Sequence, residues 1–243
     1  MSGESNRPDI HEIFSTGCPE ILYEDNHLIA VNKRASDIVQ TDRTLDTPMT
    51  EAIKEYLKAA YGKPGNVFLG VVHRLDRPVS GVVIFAKTSK ALERMNLMFK
   101  NREIVKKYWA LVKNAPPEQY GHLKNFLKKN EKQNKSYLYS EPVKGAQLAE
   151  LKYELLGKSD QYFLLEVELM TGRHHQIRAQ LAEIGCPIKG DLKYGFPRPN
   201  KDVSISLHAR SIAFVHPVKD QPVRIIANPP ADPVWDHFLK MFP

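Results

Sequence analysis

Residues 70–88 read GVVHRLDRPVSGVVIFAKT. Two apolar, β-branched runs flank a loop of charged residues, proline, serine and glycine, so the stretch predicts strand, irregular loop, strand. Asp76 falls in that loop between Arg74 and Arg77. A turn aspartate commonly does no more than pair with its neighbouring arginines. A carboxylate held at a loop tip by cations is also suited to nucleophilic or acid–base work, because those cations keep it ionised and can grip phosphate. Residue types alone leave both readings open.

Working outward, ILYEDNHLIAVNK (21–33) predicts two strands about an Asp25-Asn26 turn. Thr47-Pro48 opens a helix with Met49, Ile53, Leu57 and Ala60 on one face. Ser89 is placed to cap a second helix carrying Leu92, Met95 and Phe99. EIVKKYWALVK (103–113) alternates as a strand, and residues 114–147 read as a long, irregular surface excursion. Two strands follow, LAELKYELLG and YFLLEVELM. Thr171-Gly172-Arg173 then turns into a helix with Ile177, Leu181 and Ile184, ended by Gly185. The strands SISLHARSIAFVHP and QPVRIIA and the helix WDHFLKMF close the chain. Strands dominate with a few helices between them, which predicts an α+β fold around a mostly antiparallel sheet. Residues 1–18 are polar and unpatterned, a loose tail, with the folded domain over 19–243.

The chain has 243 residues, 42% hydrophobic and 26% charged, which excludes whole-chain disorder. No apolar run reaches the roughly 20 residues that span a bilayer, and the N-terminus has no secretory pattern. Two cysteines, Cys18 and Cys186, exclude a disulfide framework and a four-cysteine zinc site, so a cytoplasmic protein with reduced thiols is expected. The net charge is +7. Residues 100–144 hold eleven basic and four acidic side chains, so this one stretch carries the entire excess. Within it Lys124, Lys128, Lys129, Lys132 and Lys135 crowd a region rich in Asn and Gln. Such a run is either a solvated loop or a surface for a polyanion.

Two further stretches carry candidate chemistry. TGRHHQIR (171–178) is either a solvated helix start or a helix N-terminus facing an anion, with Arg173 and Arg178 beside it. Zinc does not suit it, because adjacent histidines on a helix point about 100° apart. In KKYWALV (106–112) Tyr108 and Trp109 face opposite sides of a strand. Both rings can fill core layers, or one can stack on a base.

HRLDRPVSG, KKY and TGRHHQIR in this order resemble the RluA-type family of pseudouridine synthases, as do GDLKYG (190–195), LHARSIAFVHP (207–217) and the opening YEDNHLIAVNK. The resemblance covers roughly residues 20–228. Val79 stands where the family often has Thr, His174 where Thr or Ser is frequent, and Arg34 where Pro often follows the early Lys. The resemblance implies a mostly antiparallel central sheet split by a cleft, helices on its outer faces, and isomerisation of uridine to pseudouridine in structured ribosomal or transfer RNA. It implies no cofactor and no metal. Asp76 would be the catalytic carboxylate. Tyr108 would stack on the base or assist loss of the C5 proton, Arg178 would hold Asp76 ionised, and Arg74 would fill the space of the flipped base or grip phosphate. About twenty residues precede the first strand, too few for the S4-type RNA-binding domain many members carry, so the five lysines are expected to supply phosphate contacts. A monomer needing no protein partner and no membrane is expected. A non-catalytic RNA-binding or assembly factor and a nucleotide hydrolase are the rival readings.

Overall fold

Eleven strands join into one mixed sheet in a computed structural model that describes residues 19–41 and 46–242. The loose tail expected over residues 1–18 lies outside the described residues. In chain order the strands are β1 (Glu20–Glu24), β2 (Leu28–Lys33), β3 (Gly70–Val71), β4 (Ser80–Ala86), β5 (Val105–Val112), β6 (Tyr120–Asn130), β7 (Lys135–Tyr139), β8 (Gln147–Lys158), β9 (Phe163–Leu169), β10 (Leu207–Val215) and β11 (Pro222–Ile226). The order across the sheet is β1-β2-β4-β10-β5-β9-β8-β6-β7, with β11 added to β10 and β3 to β4. All pairings are antiparallel except β4 with β10. The helices among the described residues are α1 (Met49–Tyr61), α2 (Ser89–Asn101), α3 (Gln176–Glu183) and α4 (Pro233–Met241). None is long and apolar enough to cross a membrane.

Strand alternation divides the core between two faces. Ile29, Val31, Val83, Phe85, Tyr108 and Val167 point to one face, where Ile53 and Leu57 of α1 and Ile177 and Leu181 of α3 cover them. Leu28, Ala30, Val82 and Ile84 point to the other, against Ala91 and Met95 of α2. Trp109, Leu111 and Leu164 meet Trp235 and Phe238 of α4 on that second face. Every residue of β4 is buried, so its sequence is a continuous small and apolar run rather than an alternating one. The expected opposition of Tyr108 and Trp109 is what the strand delivers.

Two expectations are corrected. Residues 114–147 are no irregular excursion: β6 and β7 form a hairpin that extends the sheet beyond β8. Its alternation is hidden because its outward positions, His122, Lys124 and Lys128, are polar and its inward set includes Asn125 as well as Leu123 and Leu127. The cap of α2 is Thr88, whose Oγ1 accepts from the Ala91 amide at 3.2 Å, one residue before Ser89. Past α3 the chain ends its helical path as expected, with Gly185 at a φ of 78°.

Gly81 permits the parallel junction of β4 with β10, directly after the HRLD loop. Its φ is 118°, and a Cβ there would lie 2.4 Å from the Ala209 carbonyl oxygen. Backbone cannot swing aside as a flexible side chain can, and the positive φ adds strain. Gly81→Ala should therefore cost about 3 kcal/mol or more, lowering Tm by roughly 10 °C. A thermal melt of the variant matching the parent would show that this junction yields.

Candidate active site

The HRLD loop is fastened from behind by one side chain. Lys33 is fully buried, and its Nζ donates to the carbonyls of Val79 (2.7 Å), Arg34 (3.0 Å) and Arg77 (3.1 Å). The Ser36 amide also donates to the Arg77 carbonyl, the Ile205 amide to that of Pro78, and the Val79 amide closes a turn on Asp76. Arg77 itself reaches out to Asp46. This scaffold leaves the Asp76 side chain 32% exposed.

Two side chains from the start of α3 meet Asp76. Arg178 Nη1 and His175 Nε2 each lie 3.5 Å from Asp76 Oδ2. Arg178 is in turn gripped by Asp191, with Nε to Oδ2 at 2.6 Å and Nη2 to Oδ1 at 2.8 Å. Burial works against the Arg178 charge, but the Asp191 hydrogen bonds and the two carboxylates outweigh it and raise its pKa. Arg178 is therefore a shared cation whose firmer partner is Asp191, a residue that sequence reading passed over inside GDLKYG.

His175 is no solvated helix start. It is buried, occupies the cap of α3 at a φ of 56°, and sets its Nδ1 3.1 Å from the Tyr194 hydroxyl. Burial, then the Arg178 charge, push its pKa down to about 2, so the ring is neutral. Its neighbour His174 stacks on it at 3.7 Å and has its Nδ1 2.9 Å from Ser136 Oγ of β7. No local pattern announces His175, since its partners come from residues 76 and 194.

Asp76 stands on the wall between two cavities. One, of about 310 Å³, is lined by Tyr108, Phe99, Lys106, Arg173, Ile177 and Leu207. The other, of about 370 Å³, is lined by Arg77, Lys129, Asn134, His174 and Lys193. Arg74 is exposed and borders both. Burial, then the Asp76 charge, raise the Tyr108 pKa, so its phenol keeps its proton. Arg173 Nε donates to the Leu148 carbonyl at 3.0 Å. A larger groove of about 1170 Å³ lies elsewhere, between Lys113 and Trp235. Size does not choose the site; a carboxylate beside a buried cation and a neutral imidazole does.

The five lysines divide. Lys129 alone of them lines the second cavity, where it pairs with Glu131 at 2.6 Å. Lys124 and Lys128 project from the opposite face of β6, Lys132 occupies the hairpin turn, and Lys135 lies over the rings of Tyr137 and Tyr194. Lys106 and Lys193, which the sequence reading did not single out, line the first and second cavity respectively.

The buried Lys33 gives this architecture a signature in pH. Burial lowers its pKa from the ordinary lysine value to about 8. Between pH 8 and the unfolded lysine value near 10.4, the unfolded chain holds a proton that the folded one has released, so this group makes stability rise with pH across that window. Lys33→Met should remove that rise and, by deleting three hydrogen bonds to the carbonyls of Val79, Arg34 and Arg77, cost about 1–3 kcal/mol at pH 7. Denaturant titrations of parent and variant from pH 7 to 10.5 measure both effects; parallel curves would refute them.

Comparison with known proteins gives the geometry a lineage. Residues 27–183 match the family described as RNA pseudouridylate synthase. The chain is 33% identical over 241 residues to the tRNA pseudouridine synthase C of Vibrio cholerae serotype O1, covering 92% of this chain and 95% of that protein. It is 32% identical over 228 residues to the ribosomal large subunit pseudouridine synthase C of Buchnera aphidicola, covering 90% and 69%. Among solved structures, human RNA Pseudouridylate Synthase Domain Containing 4 superposes with a TM-score of 0.74 at 23% identity, over 91% of this chain and 92% of that one, which shows the shared fold. On the extent of these matches, the chain belongs to the RNA pseudouridylate synthase family.

Proposed function

We propose that Asp76 is the carboxylate that carries the isomerisation of uridine to pseudouridine. The observation behind this is its position between the two cavities, half-open to solvent and faced by Arg178 and His175. The reaction breaks the N1–C1′ bond, turns the uracil and joins C5 to C1′, with one proton leaving C5 and one arriving at N1. Atoms and electrons balance within the substrate. C1′ and C5 are reachable only once the nucleotide leaves its stack, so the uridine flips into the protein. The Tyr108 cavity suits the uracil: it offers a buried aromatic ring, apolar Ile177 and Leu207, and Arg173 at its rim. Its volume is at the low end of small-ligand clefts, which fits a base and sugar and little more.

In this reading the protonated Tyr108 packs against the base or donates to it, and the phenol is not the base that removes the C5 proton. Arg178 stabilises the carboxylate form of Asp76. Arg74 takes the space vacated in the RNA or meets a phosphate. The intact set of Asp76, Tyr108 and Arg178 speaks against a purely RNA-binding role. Transfer RNA is the first substrate to test, because the relative named for it aligns along nearly its whole length. Pseudouridine mapping of RNA from cells lacking the gene would identify the uridine.

Loss of the C5 proton gives a direct assay, tritium release from RNA carrying 5-tritiated uridine. Asp76→Asn should lower that release by about three orders of magnitude or more with the fold intact and RNA affinity undiminished. Near-normal turnover would remove Asp76 from its role. A second outcome concerns the hairpin, where each lysine that neutralises a phosphate steepens the salt dependence of binding by about 0.7–0.9 in log–log slope. Lys128→Ala, Lys129→Ala and Lys132→Ala combined should flatten the slope by about two if all three touch phosphate, and by less if only the face of Lys129 does, while turnover at saturating RNA should change little. An unchanged slope would leave these lysines as solvated surface.

A further inference from the structure

The Tyr194 hydroxyl bears on the state of the imidazole that faces Asp76. A phenol carries one hydrogen and accepts through its oxygen. Here the hydrogen goes to the Ser136 carbonyl at 3.2 Å, and the Ser136 amide donates to the oxygen at 2.9 Å. With its hydrogen on that carbonyl, Tyr194 accepts from His175 Nδ1, 3.1 Å away, and this tautomer is part of what we infer. The ring is neutral, so a proton on Nδ1 leaves Nε2 with a bare lone pair. That lone pair looks across 3.5 Å at Asp76 Oδ2, an acceptor facing an acceptor. Two acceptors with no hydrogen between them mark the place of a donor that arrives with the substrate.

We infer that His175 Nε2 accepts a hydrogen bond from the 2′-hydroxyl of the target uridine, and that this contact makes the site select a ribonucleotide over a deoxyribonucleotide. The inference rests on Asp76 being the reaction centre. Whichever carbon of the sugar Asp76 addresses, the 2′-hydroxyl lies two bonds from C1′ and comes within reach of the group beside Asp76. The uracil of a uridine has one N–H donor of its own, at N3, but with the base in the Tyr108 cavity the ribose is the part next to the Asp76 wall. The 2′-hydroxyl is also the one group by which a protein distinguishes RNA from DNA at a given nucleotide.

The test uses a synthetic stem–loop RNA carrying the mapped uridine, made with ribose or 2′-deoxyribose at that nucleotide alone, under single-turnover conditions. His175→Asn suits the left-handed backbone but cannot reach Asp76. The ribose-to-deoxyribose rate ratio should fall about tenfold from parent to variant, the worth of one neutral hydrogen bond. Tyr194→Phe, which keeps the ring but frees Nδ1 to lose its proton, should reduce the ratio in the same direction and serves if His175→Asn does not fold. Nitrogen NMR of the free protein should show the proton of His175 on Nδ1. An active parent whose ratio is unchanged in both variants, or a proton found on Nε2, overturns this inference alone. A parent inert on the all-ribose RNA overturns the enzymatic reading and this inference with it.

Discussion

The buried pair of Arg178 and Asp191 is the interaction on which the site depends. Their side chains are 6% and 1% exposed. Taking such charges from water costs several kcal/mol apiece, and apolar residues of equal volume would often be as stable. What apolar residues cannot supply is direction. Asp191 engages Nε and Nη2 in a fork, which fixes the plane of the guanidinium and leaves Nη1 aimed at Asp76. Asp191 also begins the 3-10 turn Leu192–Tyr194, and Tyr194 holds the His175 ring. The ion pair thus orients Arg178, and the turn that follows Asp191 carries the tyrosine that holds His175 beside Asp76.

Much of this was legible in sequence. The strand–loop–strand reading of residues 70–88, the Asp25-Asn26 turn and the apolar face of α1 rest on short-range patterns, and the fold reproduces them. Tyr108 and Trp109 could be assigned to opposite faces because a strand has a period of two. The hairpin of β6 and β7 was missed because an outlying strand with one wet face hides its alternation among lysines and asparagines. In the site, Asp76 and Arg178 stood out by residue type and resemblance. His175, Asp191 and Lys33 did not, since a buried polar group takes its meaning from partners distant in sequence: Asp76, Tyr194, and the carbonyls of Arg77 and Val79.

Charge shows the same limit. The arithmetic located the whole positive excess in residues 100–144 but could not say which way each lysine points. Alternation along β6 sends Lys129 toward Asp76 and Lys128 away from it. A count of charges therefore describes the approach of a polyanion, whereas the contact itself is decided by parity along a strand.

The placement of that hairpin has a mechanical consequence. β4 lies deep in the sheet, buried at every position between β2 and β10. β7 lies at the rim, paired among the described residues only with β6, and two of its five residues are exposed while one, Ser136, is buried. Free energies of local opening follow such differences in burial, from near zero at wet margins to the global value in the core. The molecule thus has a stiff end and a compliant end, and Asp76 is attached to the stiff one. The rim can deform without moving the carboxylate, so compliance at one end of the sheet coexists with precision at the other.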